Sequence, residues 1–170
     1  MILLVHMLFG AAVSSYIKNP FLAVILAFFS HYVLDLIPHI EYNIENIKNK
    51  RWGRALPDLL KVASDSFAGA MLILLFSNPS AGSGQLIIFV VALFSILPDG
   101  LTVLSYFFQN KFLELHKKFH QKKIHFLRDN PSASFGTAQD KGSRQIKISN
   151  FWRITNQVLI IIISIFLLKI

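Results

Sequence analysis

The chain has 170 residues, 54% of them hydrophobic and 15% charged, with a formal net charge of +8. An ordinary soluble domain holds roughly a quarter of its residues as charges, so this composition excludes one and indicates a membrane protein. Cysteine is absent, which excludes thiolate metal sites, cysteine nucleophiles and disulfides and leaves His, Asp and Glu as metal ligands.

Apolar runs of about 17–25 residues mark candidate spans. The first covers 2–17 and ends at Lys18, Asn19 and Pro20. It has neither a basic leader nor a clean cleavage site, so it reads as a retained span and not a signal peptide. The second covers 21–37 and stops at Pro38, because the residue before a proline resists the α region. The third covers 57–76, with Pro57 suited to a first turn. The fourth, 85–108, contains Pro98, which is expected to kink it. A basic loop follows at 109–150, and its stretch from Arg128 to Gln145 is rich in Gly, Ser and Asn. The fifth span, 151–169, places Trp152 at an interface. The expected fold is one all-α membrane domain over 1–170, a helical bundle of about five transmembrane helices.

Orientation follows from the cations. Of 17 Lys and Arg residues, all but Lys18 and Lys169 fall in or beside the loops after spans two and four. The positive-inside rule makes that side cytoplasmic, which gives a multi-pass protein of the inner membrane, N-in and C-out. The same cations predict affinity for anionic phospholipids. Nucleic acid is the weaker reading, because basic cytoplasmic loops are expected of this topology anyway.

An ionisable residue inside a span costs several kcal/mol unless paired, hydrated or metal-bound. Span one carries His6. Span two carries His31 and Asp35, with His39 and Glu41 just beyond. Span three carries Asp58, Lys61 and Asp65, span four carries Asp99, and His116 and His120 follow it. At 1.5 Å per residue, His31, Asp65 and Asp99 lie roughly 10 Å in from the cytoplasmic ends of their spans. They form one polar layer.

The i,i+4 pairs His31/Asp35 and His116/His120 can each clasp an ion from consecutive turns. The metal candidates are therefore His6, His31, Asp35, Asp65, Asp99, His116 and His120. Imidazole and carboxylate without thiolate suit zinc, with manganese or iron as alternatives, and the ligand supply allows one or two ions. Plainer readings stand beside these. His6 is also read as a packed histidine, and Asp58 with Lys61 as a pair at a helix start. Asp99 also reads as a cap after the kink, and Ser95 and Thr102 as helix-packing residues. His116 and His120 also fit an amphipathic interfacial helix, "LHKKFHQKKIHF".

The segments "HYVLD" (His31 to Asp35), Pro38-His39 and "ILPDG" (Ile96 to Gly100), with the early His6, resemble motifs of the bacterial and archaeal integral-membrane metal-dependent hydrolases, a group loosely related to zinc-dependent phospholipase C. The resemblance implies several spans, metal ligation by His31 and Asp35, Asp99 as the acid of a Leu-Pro-Asp element, and His6 as an N-terminal histidine of the site.

The function expected from this sequence is metal-dependent hydrolysis of a phosphoester in an amphiphilic, lipid-like substrate at the cytoplasmic leaflet. Asp65 or His39 would order or deprotonate the attacking water. Lys117, Lys118, Lys122 and Lys123 would attract the head group. A divalent-cation transporter and a non-enzymatic, metal-stabilised membrane scaffold are the alternatives. The outer halves of the spans contain almost no polar residues beyond small ones, which favours a site closed at its bottom over a conducting path.

Overall fold

The computed structural model describes residues 2–77, 84–121 and 150–169. Among these residues the chain is helical, without strands: α1 (Leu3–Tyr16), α2 (Pro20–Leu36), α3 (Glu45–Lys48), α4 (Leu56–Phe76), α5 (Gln85–Phe107), α6 (Lys111–Phe119) and α7 (Asn150–Lys169). A single 3-10 turn, Trp52–Arg54, joins α3 to α4. Much of the expected loop 109–150, residues 122–149, lies outside the described residues. Its first part forms α6.

Local chemistry accounts for the boundaries. The Asn19 side chain accepts hydrogen bonds from Phe21 N (3.0 Å) and Leu22 N (3.2 Å) at the start of α2, with Pro20 in the first turn. Asn110 does the same for α6 through Phe112 N at 2.8 Å. At the other end of α2, Pro38 follows immediately on the helix terminus. Helix α5 runs without a break through Pro98.

Helices α4, α5 and α7 are each long and apolar enough to cross a membrane, whereas α1 and α2 are apolar but shorter. At 14 and 17 residues, α1 and α2 extend roughly 21 and 26 Å. Large apolar side chains such as Phe21, Phe67, Leu75, Leu86 and Phe166 point outward, exposed. A soluble protein would bury them, but a lipid-facing surface has no reason to.

Helix α1 occupies the centre. It is buried on nearly every side, and α2, α4, α5 and α7 all pack against it. Met7, Leu8, Ala11 and Ala12 of α1 form the core with Ile73 of α4, Ile88 and Ala92 of α5, and Leu168 of α7. Helix α2 turns one stripe inward, Ala23, Ala27, His31, Leu34 and Asp35. This i,i+4 spacing puts the two polar residues in line with the two alanines that let α2 approach its neighbours.

Close approach also depends on two glycines. A Cβ on Gly10 would lie 2.7 Å from both the Cβ and the Oγ of Ser95, and one on Gly69 would lie 3.0 Å from Met7 Sδ. Both positions bring helix backbones together, as small residues do within membranes. Gly10→Ala is expected to force α1 away from α5 and lower stability by about 1–3 kcal/mol, the usual cost of overpacking. Thermal unfolding of the purified protein in detergent measures this.

Candidate metal centre

Imidazoles and carboxylates from α2, α5 and the end of α6 meet beside the central helix. His31, Asp35, Asp99 and His120 each offer a ligand atom, and these four atoms lie within 4.8 Å of one another. His31 Nε2 is 3.2 Å from Asp35 Oδ2, 3.4 Å from His120 Nε2 and 3.7 Å from Asp99 Oδ1. A tetrahedral ion with bonds near 2.1 Å places its ligand atoms roughly 3.4 Å apart, so these separations suit one. The contact between His120 Nε2 and Asp35 Oδ2, 2.6 Å, is shorter and would open slightly around an ion.

The protein also sets the imidazole tautomers. His31 Nδ1 lies 2.9 Å from the Ser95 carbonyl, a pure acceptor, so it carries the proton and leaves the Nε2 lone pair facing the centre. Thr102 donates its hydroxyl proton to the Pro98 carbonyl (3.1 Å) and accepts from His120 Nδ1 (3.1 Å), which fixes His120 in the same way. Metal-bound histidines are oriented through their far nitrogen in this manner. Ser95 and Thr102, read from the sequence as packing residues, are thus the supports of the centre. Nothing in the one-dimensional pattern identifies them, because Ser95 acts through its backbone carbonyl.

Asp35 is the more enclosed of the two carboxylates, with 1% of its side chain exposed, whereas 27% of the Asp99 side chain is exposed. Two carboxylates and two imidazoles gathered this closely inside a low-dielectric bundle need a cation or protons between them. The donor set therefore fits a divalent ion.

The remaining candidates separate. His6 is buried, stacks on His31 with ring centroids 4.2 Å apart, and sets Nε2 3.3 Å from Asp35 Oδ1. His39 is buried with Nε2 3.8 Å from the same oxygen. Asp65 is not one of the four: its Oδ2 accepts from Leu4 N (3.3 Å) in the first turn of α1, where backbone N–H groups lack helical partners. His116 is not one of them either, and its Nε2 lies 3.0 Å from the Tyr32 hydroxyl. Asp58 accepts from Asn46 N (2.8 Å) and Ile47 N (3.3 Å) and so holds α3. Lys117 sits over the Tyr106 ring at 4.2 Å, and Lys118 pairs with Glu114 at 2.8 Å. Lys122 and Lys123 lie outside the described residues.

A cavity of about 320 Å³ adjoins the centre. Asp99, Thr102, His120 and Glu41 are among its polar lining residues, and Leu3, Val62, Ile96, Val103 and Phe107 among its apolar ones. Tyr42 also lines it. Burial pushes the Tyr42 hydroxyl well above the usual tyrosine range, with help from the Asp65 and Asp99 carboxylates, so it remains a neutral donor.

The chain matches no family model, curated protein or solved structure. The centre must therefore be read from its own geometry. Thr102→Val removes the acceptor for His120 Nδ1 while preserving shape. It is expected to weaken zinc binding by about 10–100-fold, the usual effect of losing such a support. Competition against a chromogenic chelator measures the loss.

Proposed function

We propose that this protein is a membrane-embedded, metal-dependent hydrolase that cleaves a phosphoester in an amphiphilic substrate at the cytoplasmic leaflet of the inner membrane. The observation that carries the reading is that Asp99 and His120, two of the His31/Asp35/Asp99/His120 group, line a mainly apolar cavity. A structural ion is closed off by its ligands, whereas a catalytic one keeps a face toward a substrate space. Here Asp99 and His120 are at once members of the group and walls of that space.

In this reading the chain crosses the membrane five times, N-in and C-out, with α1 and α2 as short spans that thin the bilayer locally. Zinc is the preferred ion, with manganese or iron as alternatives. The resemblance of "HYVLD" and "ILPDG" to the integral-membrane metal-dependent hydrolases agrees with this assignment.

A bound divalent ion supplies a Lewis acid that polarises a phosphoryl oxygen and activates water. The protein does the rest. His31 and His120, pinned through Nδ1, present their Nε2 atoms in fixed directions. Asp99, partly open to the cavity, would hold the ion through one oxygen and order the attacking water with the other, a role expected from the sequence for Asp65 or His39. Tyr42 donates a hydrogen bond to the phosphoryl group. Lys48, which also lines the cavity, supplies positive charge beside it, the part expected of Lys117 and Lys118.

The apolar walls define the rest of the substrate. Val62 and Ser66 of α4 face the cavity from one side and Ile96 and Val103 of α5 from the other. Helices α4 and α5 each pack on α1 but share little direct packing. The space between them is a lateral route by which a hydrocarbon chain reaches the centre from the bilayer while its phosphate stays beside Asp99 and His120.

The test uses purified, zinc-loaded protein and a panel of phospholipids, isoprenoid phosphates and short-chain analogues in mixed micelles, with released product as the readout. Wild type is expected to hold metal and to turn over at least one phosphoester. Asp35→Ala should lose both, and His31→Ala should lose turnover. Protein that holds metal and cleaves nothing in the panel would remove the assignment. Val103→Trp, which narrows the apolar part of the cavity, is expected to depress turnover of long-chain substrates while sparing a short-chain analogue and leaving metal content unchanged.

A further inference from the structure

Asp35 has two oxygens, and they face different neighbours. Oδ2 belongs to the group already described, 3.2 Å from His31 Nε2 and 2.6 Å from His120 Nε2. Oδ1 faces away from these and lies 3.3 Å from His6 Nε2 and 3.8 Å from His39 Nε2. Glu41 Oε1 lies a further 3.0 Å from His39 Nε2. Two histidines thus flank the other oxygen of the same carboxylate, and a second carboxylate meets one of them.

This second set of side chains has its own unbalanced chemistry. His39 Nδ1 is 2.7 Å from the Ile37 carbonyl. That carbonyl can only accept, so Nδ1 bears a proton and Nε2 is the ring atom turned toward the carboxylates. It lies between two of them, an arrangement that positive charge holds together. His6 is fully buried, and its Nε2 lies 3.3 Å from Asp35 Oδ1 without the geometry of a well-formed hydrogen bond. Burying polar atoms with such incomplete partners is costly.

We infer that Asp35 bridges two divalent cations, the second held by Asp35 Oδ1, His6 Nε2 and His39 Nε2, with Glu41 completing its shell. The inference rests on the reading of His31, Asp35, Asp99 and His120 as the first ion site. A carboxylate that lends one oxygen to each ion suits the separation of about 3.5–4 Å typical of two-metal hydrolytic centres. Asp35, Asp99 and Glu41 together carry three negative charges against four positive, so the loaded pair keeps a net attraction for a phosphate anion.

The second site also has a route to the surface. His39 and Glu41 line a cleft with Ile40, Asn150 and Arg153 on the side facing α7. Three α7 side chains hold the wall of that cleft: Asn156 donates to the Pro38 carbonyl (3.1 Å), Gln157 to that of Ile40 (2.8 Å) and Arg153 to that of His39 (3.4 Å). The donors of the second set thus sit on backbone that is tied down from a separate helix.

Metal content per chain and manganese EPR test this on full-length protein in detergent, saturated with Mn²⁺ and freed of excess. Wild type is expected to hold two ions with an exchange-coupled spectrum. His6→Asn and Glu41→Gln should each retain one ion and lose the coupling. Asp99→Asn should retain the other, and Asp35→Asn should bind neither tightly. Helical circular dichroism and the elution position show which variants fold. If His6→Asn fails, Glu41→Gln decides, since Glu41 lies at the rim. One ion per chain in saturated wild type overturns the inference, as does a coupled pair that survives in every folded variant of His6 and Glu41. Two coupled ions without phosphoester turnover would instead sink the catalytic reading and leave this one standing.

Discussion

A carboxylate with no access to water organises this protein. Asp35 is enclosed by α1, α2, α5 and the end of α6, and imidazole nitrogens lie against both of its oxygens. Its charge cannot be hydrated there, so everything around it must supply compensation. Histidines that come from the N-terminal helix, from its own helix and the loop beyond it, and from residue 120 are gathered by that single requirement. The small residues follow from it as well. Gly10, Ala23 and Ala27 let the helices come close enough for short imidazole side chains to reach one point.

The supports of the centre are also the joints of the bundle. The Ser95 hydroxyl donates to the carbonyls of His6 (2.8 Å) and Ala92 (2.6 Å), while the Ser95 carbonyl receives His31. One residue therefore fixes the spacing of α1 and α5 and the tautomer of a ligand on α2. Thr102 repeats the pattern about two turns further along the same face of α5, tying it to the end of α6 through His120. Packing and chemistry share the same hydrogen bonds, so a change in either is felt in both.

The sequence makes the helices and the polar layer legible because both rest on short-range rules. Apolar runs closed by Asn19-Pro20 and by Pro38 give the helix ends to within a residue or two, and the i,i+4 spacing of His31 and Asp35 puts them on one face. What it cannot show is which acids of the layer turn toward which neighbour. Asp65 lies at the right depth yet caps the start of α1, and Asp58 caps α3, because a carboxylate serves an open helix end as readily as an ion. His116 and His120 have the same spacing as His31 and Asp35, but only His120 reaches the centre, while His116 meets Tyr32. The central place of α1 is hidden for a different reason. A helix that is apolar on all sides looks the same in sequence whether protein or lipid surrounds it.

The attachment of α7 to the carbonyls of Pro38, His39 and Ile40 bears on how the protein comes into being. In chain order His6, His31, Asp35 and Asp99 all precede α7, so they are synthesised before the helix that tethers the segment carrying His39. Until α7 docks, that segment lacks three of its anchors.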